Sequence, residues 1–295
     1  MRKAYLQMHS AIFLWGFTGI LGRLITLQES VLVWYRMLFS AIALAVYGWY
    51  AGSLKILSFK ETLKISVVGL LIVIHWVTFY GAIKASNVSI TLSCLSSQAL
   101  FTAFMEPLLN RRKLDPVEIF FGLLAMLGIY LIFHFESNYS TGIILALISA
   151  FFGSVFSVVN KFIIDRHDPV TLTVYELGTG WVVLTLLLPI LFIYYPDLNF
   201  SLNISNTGYL LILALFCTSL AFTISMMALK KISAFTLNLS VNLEPVYGIT
   251  LAFLIFHENK FLGNGFYYGT AVLLLTVIIH TFYHYRKRKQ LTINN

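Results

Sequence analysis

Ten stretches of about twenty mainly apolar residues follow one another along this chain with only short polar breaks. A helix needs about 20 such residues to cross the hydrocarbon of a bilayer. The runs lie near 4–25, 31–51, 63–84, 87–110, 116–135, 141–164, 169–195, 207–230, 233–257 and 262–285. They predict an all-α integral membrane protein with ten transmembrane helices. The weakest division is Lys230-Lys231-Ile232-Ser233, and dividing the runs differently leaves nine or eleven open. Composition agrees: 59% of the 295 residues are hydrophobic, 11% are charged and the mean hydropathy is +0.84. That leaves too little polar surface to coat a water-soluble globule.

The net charge of +8 does not point to nucleic acid, because the basic residues sit singly or in short clusters between apolar runs. Their placement reads as topology. With the N-terminus in the cytoplasm, sixteen Lys and Arg fall on the cytoplasmic side, from Arg2 and Lys3 to Arg286-Lys287-Arg288-Lys289. Three fall outside: Arg23, Lys84 and Lys260. Both termini are therefore expected inside, with the first span uncleaved. Cys94 and Cys217 both lie within apolar runs, so a structural disulfide is not expected. No metal-type Cys/His spacing and no phosphate-binding loop occur, so neither a metal nor another cofactor is expected.

A weak repeat runs through the chain. Ser10-Ala11-Ile12-Phe13 aligns with Ser149-Ala150-Phe151-Phe152, and Leu32 to Arg36 with Leu172 to Glu176. Further on, Leu92-Ser93 aligns with Leu239-Ser240, Lys113 with Lys260 and Gly122 with Gly269, all in the same order. This divides the chain into residues 1–137 and 138–295, each with five spans. An odd number of spans makes the second half enter the membrane from the opposite side. The expected architecture is two inverted five-helix repeats with a site near the midplane between them, a plan common in secondary transporters.

Four features carry a family resemblance. They are Trp15-Gly16 in the first span, Arg36 in the second, "ALFTAFMEPLLNRRKL" (99–114) closing the fourth, and "NLEPVYGITLAFLIFHENK" (242–260), which ends near the pair His257-Glu258. With the ten-span plan, the chain resembles the EamA-type members of the drug/metabolite transporter superfamily along nearly its whole length. The resemblance implies a transporter of a small metabolite, often an exporter, multi-pass in the inner membrane of a bacterium. The cargo expected is an amino acid or a related amphipathic solute. The partners expected are that solute, the lipid bilayer and protons, with no nucleic acid, and the protein is a monomer or homodimer. A passive channel is the alternative, and a membrane-embedded enzyme fits least, because the seven His are scattered and no catalytic set emerges.

Polar groups inside the spans mark the candidate site. A charge at the bilayer centre costs about 2.5–3.5 kcal/mol on insertion scales, and Glu244 lies at the middle of its span beside Pro245, an expected helix kink. Glu244 is the proton-coupling candidate. At the repeat-equivalent place in the fourth span stand Ser96, Ser97 and Gln98. The expected solute-binding set is Trp15, His75, Trp76, Tyr80, Ser97, Gln98, Asn242, Glu244 and Tyr247. Arg36, Glu106 and Glu176 are expected to serve structure or gating, with Arg36 reaching for the outer headgroups and Glu106 pairing with Arg111 or Arg112. Gly16, Gly19 and Gly22 form a small-residue stripe for close helix packing, and Met226-Met227 are read as gap-fillers.

Overall fold

The computed structural model describes residues 2–111, 116–241 and 243–293. Among them every regular element is helical: α1 (Arg2–Trp15), α2 (Thr18–Leu24), α3 (Glu29–Tyr50), α4 (Phe59–Ala85), α5 (Val88–Leu95), α6 (Gln98–Leu109), α7 (Pro116–Phe135), α8 (Ser140–Ile163), α9 (Pro169–Tyr194), α10 (Ile204–Ala214), α11 (Ala221–Leu229), α12 (Ala234–Val241), α13 (Leu243–Phe256) and α14 (Asn264–Ile293). A π-helical segment, Leu215–Leu220, joins α10 to α11. Single 3-10 turns occur at Ser137–Tyr139, Ile164–Arg166 and Glu258–Lys260.

Helix starts follow capping chemistry. Ser58 and Glu61 form a reciprocal capping box at α4. Asn87, Asp168 and Asn203 each accept a backbone N–H at the start of α5, α9 and α10. The breaks also have local causes. Ser96 Oγ donates to the Ser93 carbonyl at 2.6 Å and Ser97 Oγ to that of Cys94 at 2.7 Å, and such back-bonding bends a helix where α5 passes into α6. Between α1 and α2, Gly16 lies against α13, and a Cβ there would stand 2.9 Å from the Tyr247 Cβ. Gly19 and Gly22 likewise abut Val88 and Tyr80, so the small-residue stripe packs against three different helices.

Among the described residues, seven helical stretches are long and apolar enough to cross a membrane: Glu29–Tyr50, Phe59–Ala85, Val88–Leu109, Ser137–Arg166, Pro169–Tyr194, Ile204–Leu229 and Thr236–Phe256. Phe120–Phe135 is a shorter apolar helix. The run expected at 4–25 is two helices, because Gly16-Phe17 divides it. The run expected at 262–285 lies within α14, which continues through the basic residues 286–289. The doubtful division at Lys230 to Ser233 is a true helix break, since α11 ends at Leu229 and α12 starts at Ala234.

Large apolar side chains cover the outside of the bundle, and charged groups of the spans are buried within it. Leu186, Ile193 and Leu254 are 72%, 76% and 69% exposed, while Arg36 is 3% and Glu176 0% exposed. That arrangement suits lipid around the protein, where every exposed backbone group must be satisfied within a helix. Two apolar clusters hold the fold. The larger joins α1–α5 to α8–α12 and includes Trp76, Phe156 and Phe222. The smaller joins α5, α7, α8 and α14 around Cys94, Phe121, Ile132 and Phe266. The packing is reciprocal: α1 lies on α11 as α8 lies on α4, and α3 lies on α10 and the π segment as α9 lies on α4.

Candidate functional site

A cavity lies where α1, α2, α3, α4, α5, α6, α8, α11, α12 and α13 converge. About 60 Å³ of it is reachable by the centre of a water-sized sphere. That is room for roughly four to six waters. Its wall carries five aromatic side chains, Trp15, Trp76, Phe79, Phe156 and Phe222, together with one basic and one acidic residue, Arg36 and Glu244.

Arg36 comes from the middle of α3. Its Nε donates to Thr218 Oγ1 at 2.7 Å and its Nη1 to the Tyr80 hydroxyl at 2.8 Å. The guanidinium carbon stands 3.6 Å from the centre of the Trp76 ring, a cation–π geometry. The expectation that Arg36 snorkels outward is wrong. A planar guanidinium stacks and bonds inside the protein, which satisfies it without reaching the headgroups. The π segment supplies Thr218, and π-bulges are frequent at functional sites. These Arg36 partners are all uncharged.

Glu244 sits in the first turn of α13 and is 6% exposed. Thr18 Oγ1 donates to the Trp15 carbonyl at 2.7 Å and stands 3.3 Å from the Glu244 Oε1. Below them lies an amide hub. Asn238 Oδ1 accepts from Gln98 Nε2 and from Ser157 Oγ, each at 3.1 Å, and its Nδ2 donates to Thr102 Oγ1 at 2.8 Å. Three helices, α6, α8 and α12, are tied together there. His75 faces the cavity from α4, with its Nδ1 held 2.8 Å from the Ser149 carbonyl.

Of the expected binding set, Trp15, His75, Trp76, Gln98 and Glu244 line the cavity. Tyr80 stands behind Arg36 and orients it. Ser97 turns its hydroxyl to its own helix backbone and misses the cavity. Tyr247 also misses it: it is 37% exposed, covers Gly16 and meets the Phe13 ring edge-on at 5.8 Å. Asn242 lies outside the described residues. So do Arg112 and Lys113, and Glu106 is half-buried on α6 away from the cavity. Glu176 is fully buried on α9, also outside the lining.

Sequence reasoning missed Thr18, Phe156, Phe222, Asn238 and the lining role of Arg36 and Met226. Asn238 was within reach of it. Leu237, Asn238, Val241 and Glu244 follow one another at helical spacing, and all four line the cavity. Thr18 and Phe222 carry no such pattern. Among the described residues no group of three or more His, Cys, Asp or Glu is placed to hold a metal ion. The arrangement is suited to binding: a small solute with charged or hydrogen-bonding ends and an apolar body fits its wall.

A family model described as the EamA-like transporter family matches residues 2–134 and 140–282. Among solved structures, one crystal structure superposes with a TM-score of 0.68 at 16% identity, covering 97% of this chain and 99% of the other. At that identity the likeness shows the fold alone. No curated protein matches the chain.

Proposed function

We propose that this chain, which belongs to the EamA-like transporter family, is a secondary transporter that moves a small metabolite outward across the cytoplasmic membrane by alternating access. The family makes it a multi-pass membrane transporter of small solutes. The finer reading rests on one observation. The cavity is built by both matched segments: Trp15, Arg36, Trp76 and Gln98 come from the first, and Phe156, Phe222, Asn238 and Glu244 from the second. A solute held there touches both halves and feels any rocking between them. The reciprocal packing of α1 on α11 and α8 on α4 supports two related halves, 1–137 and 138–295, in inverted orientation with ten spans. The sixteen-to-three charge bias supports both termini in the cytoplasm.

The solute class is an amino acid or a related amphipathic molecule. Arg36 takes an acidic or carbonyl end, Glu244 takes an amine, and Trp15, Trp76, Phe79, Phe156 and Phe222 cover the apolar body. Glu244 is also the group that exchanges protons with the solute path, and Pro245 bends its helix. The protein acts as a monomer or homodimer.

The test is a thermal-shift screen of purified protein against amino acids, amines and nucleobases, followed by counterflow of the hits in proteoliposomes with and without a pH gradient. Stabilisation by one solute class and saturable counterflow are expected. Glu244→Gln is expected to lower that counterflow at least tenfold and to flatten its pH dependence. A variant that kept both rate and pH dependence removes Glu244 from the carrier role.

A further inference from the structure

Glu176 is a carboxyl group the cavity does not use, yet α9 buries it completely, at 0% exposure. Neither of its oxygens has a hydrogen-bond partner. The polar side chain beside it is Asn160 of α8, whose side-chain amide lies within interaction range of the carboxyl group. Asn160 is also 0% exposed, and its Oδ1 has no partner either.

The surroundings offer no counter-charge. From α4, Gly69 presses so close that a Cβ there would meet the Glu176 carbonyl oxygen at 2.6 Å. From α3, Met37 packs at Gly180, one turn further along α9. From α11, Met226 receives the Asn160 amide at its sulfur, 3.7 Å away. The charged and titratable groups on these elements point elsewhere. Arg36 engages Thr218 and Tyr80, His75 engages Ser149, Lys64 is exposed, and Lys161 donates to the Leu229 carbonyl at 2.7 Å. An ionised carboxylate with no cation beside it and at most one amide donor costs several kcal/mol to bury. In this packing Glu176 therefore keeps its proton.

That proton lies at the end of a polar stripe. Ser154, Ser157 and Asn160 recur at i, i+3 and i+6 on one face of α8, and all three are buried. Ser157 lines the cavity, and so does Met226, which Asn160 touches. On α9, Thr173 stands one turn from Glu176 towards the helix start at Pro169, about 10 Å away along the axis. The Asp165 to Asp168 loop lies just beyond.

We propose that Glu176 is a second proton-binding site, separate from the cavity and joined to it by Asn160 and Ser157. Protonated, Glu176 is a donor beside a buried acceptor, the Asn160 Oδ1. When α8 and α9 part, the proton passes to water as hydronium. The carboxylate left behind carries one negative charge that blocks return to the closed packing until a proton rebinds. Loading of the site thus follows the conformation and does not depend on which solute occupies the cavity.

Infrared difference spectroscopy on the full-length protein in lipid vesicles tests this, with protons and deuterons as the probe. Wild type should show a protonated-carboxyl band that downshifts on transfer to D₂O. Glu176→Gln should lose that component while Glu244→Gln keeps it, and Asn160→Leu should move it without deleting it. A folded Glu176→Gln with an unchanged spectrum overturns the proposal, because the carboxyl is then ionised. A component that does not exchange with deuterium also overturns it, because the proton is then trapped and structural. If Glu176→Gln fails to fold, Asn160→Leu decides: an unmoved band counts against the site. Loss of solute counterflow in Glu244→Gln alone bears on the cavity reading and leaves this one standing.

Discussion

Arg36 illustrates how burial and chemistry act together at the scale of one residue. Its guanidinium is stacked on Trp76 and bonded to Tyr80 and Thr218. Lys at this place keeps the charge but loses the planar fork and the stacking. Arg36→Lys is therefore expected to weaken solute binding by about tenfold, the size of one lost charge-assisted bond at about 1.4 kcal/mol, read by the shift in apparent affinity in the thermal-shift titration. His257 is a second informative residue. It adopts a left-handed backbone, φ 54°, between α13 and the turn that carries Glu258. A non-glycine residue there costs about 1 kcal/mol. His257→Gly should hold or raise the melting temperature in detergent, and His257→Val should lower it, because a β-branched side chain tolerates that conformation worst. Lower melting of the Gly variant would show that the imidazole itself makes a stabilising contact.

Among the elements, α5 depends on a residue far from it in sequence. Glu258 accepts from the backbone N–H of Val88 at 3.1 Å and of Ser89 at 2.8 Å, and from the Ser89 hydroxyl at 2.6 Å. A buried carboxylate at a helix N-terminus satisfies donors that the helix leaves open and complements its dipole. Glu258→Ala should cost about 2 kcal/mol, seen as a lower midpoint of unfolding, while Glu258→Gln should recover part of it. The crossing of α4 and α9 is the second element-scale contact. Gly69 and Gly180 let the two backbones touch, and any Cβ at Gly69 meets backbone atoms that cannot move aside. Gly69→Val should destabilise by about 3 kcal/mol and reduce folded yield by size-exclusion chromatography, whereas Gly178→Ala, where nothing lies within 4 Å, should not.

For the whole molecule, the cavity joins two segments that the family model matches separately, and the proposed alternating access requires them to move relative to one another. The amide hub at Asn238 bridges them through Gln98 and Thr102. Asn238→Ala leaves two buried polar groups short of a partner, and a cost of about 1–3 kcal/mol is expected. It should also loosen the closed state, read as faster labelling of an introduced Ser225→Cys in the cavity by a small maleimide. Equal labelling rates would place the hub outside the moving contact.

Much of this was legible without coordinates. Apolar run length predicted the helices, with α3, α4, α8 and α9 ending within a few residues of the expected bounds, because a bilayer sets helix length and rewards uniform apolarity. The insertion cost of Glu244 marked it as a cavity residue. What the amino-acid order left undecided was direction around each helix. Ser97, Tyr247 and Glu244 are near one another in depth, yet only Glu244 turns to the cavity. Arg36 and Glu176 align in the proposed repeat, yet one lines the cavity and the other is sealed behind Met226 and Asn160. In lipid there is no water-facing side to give a helix an amphipathic signature. Which face turns inward is therefore set by close packing at places such as Gly16 and Gly69, and only the assembled bundle decides it.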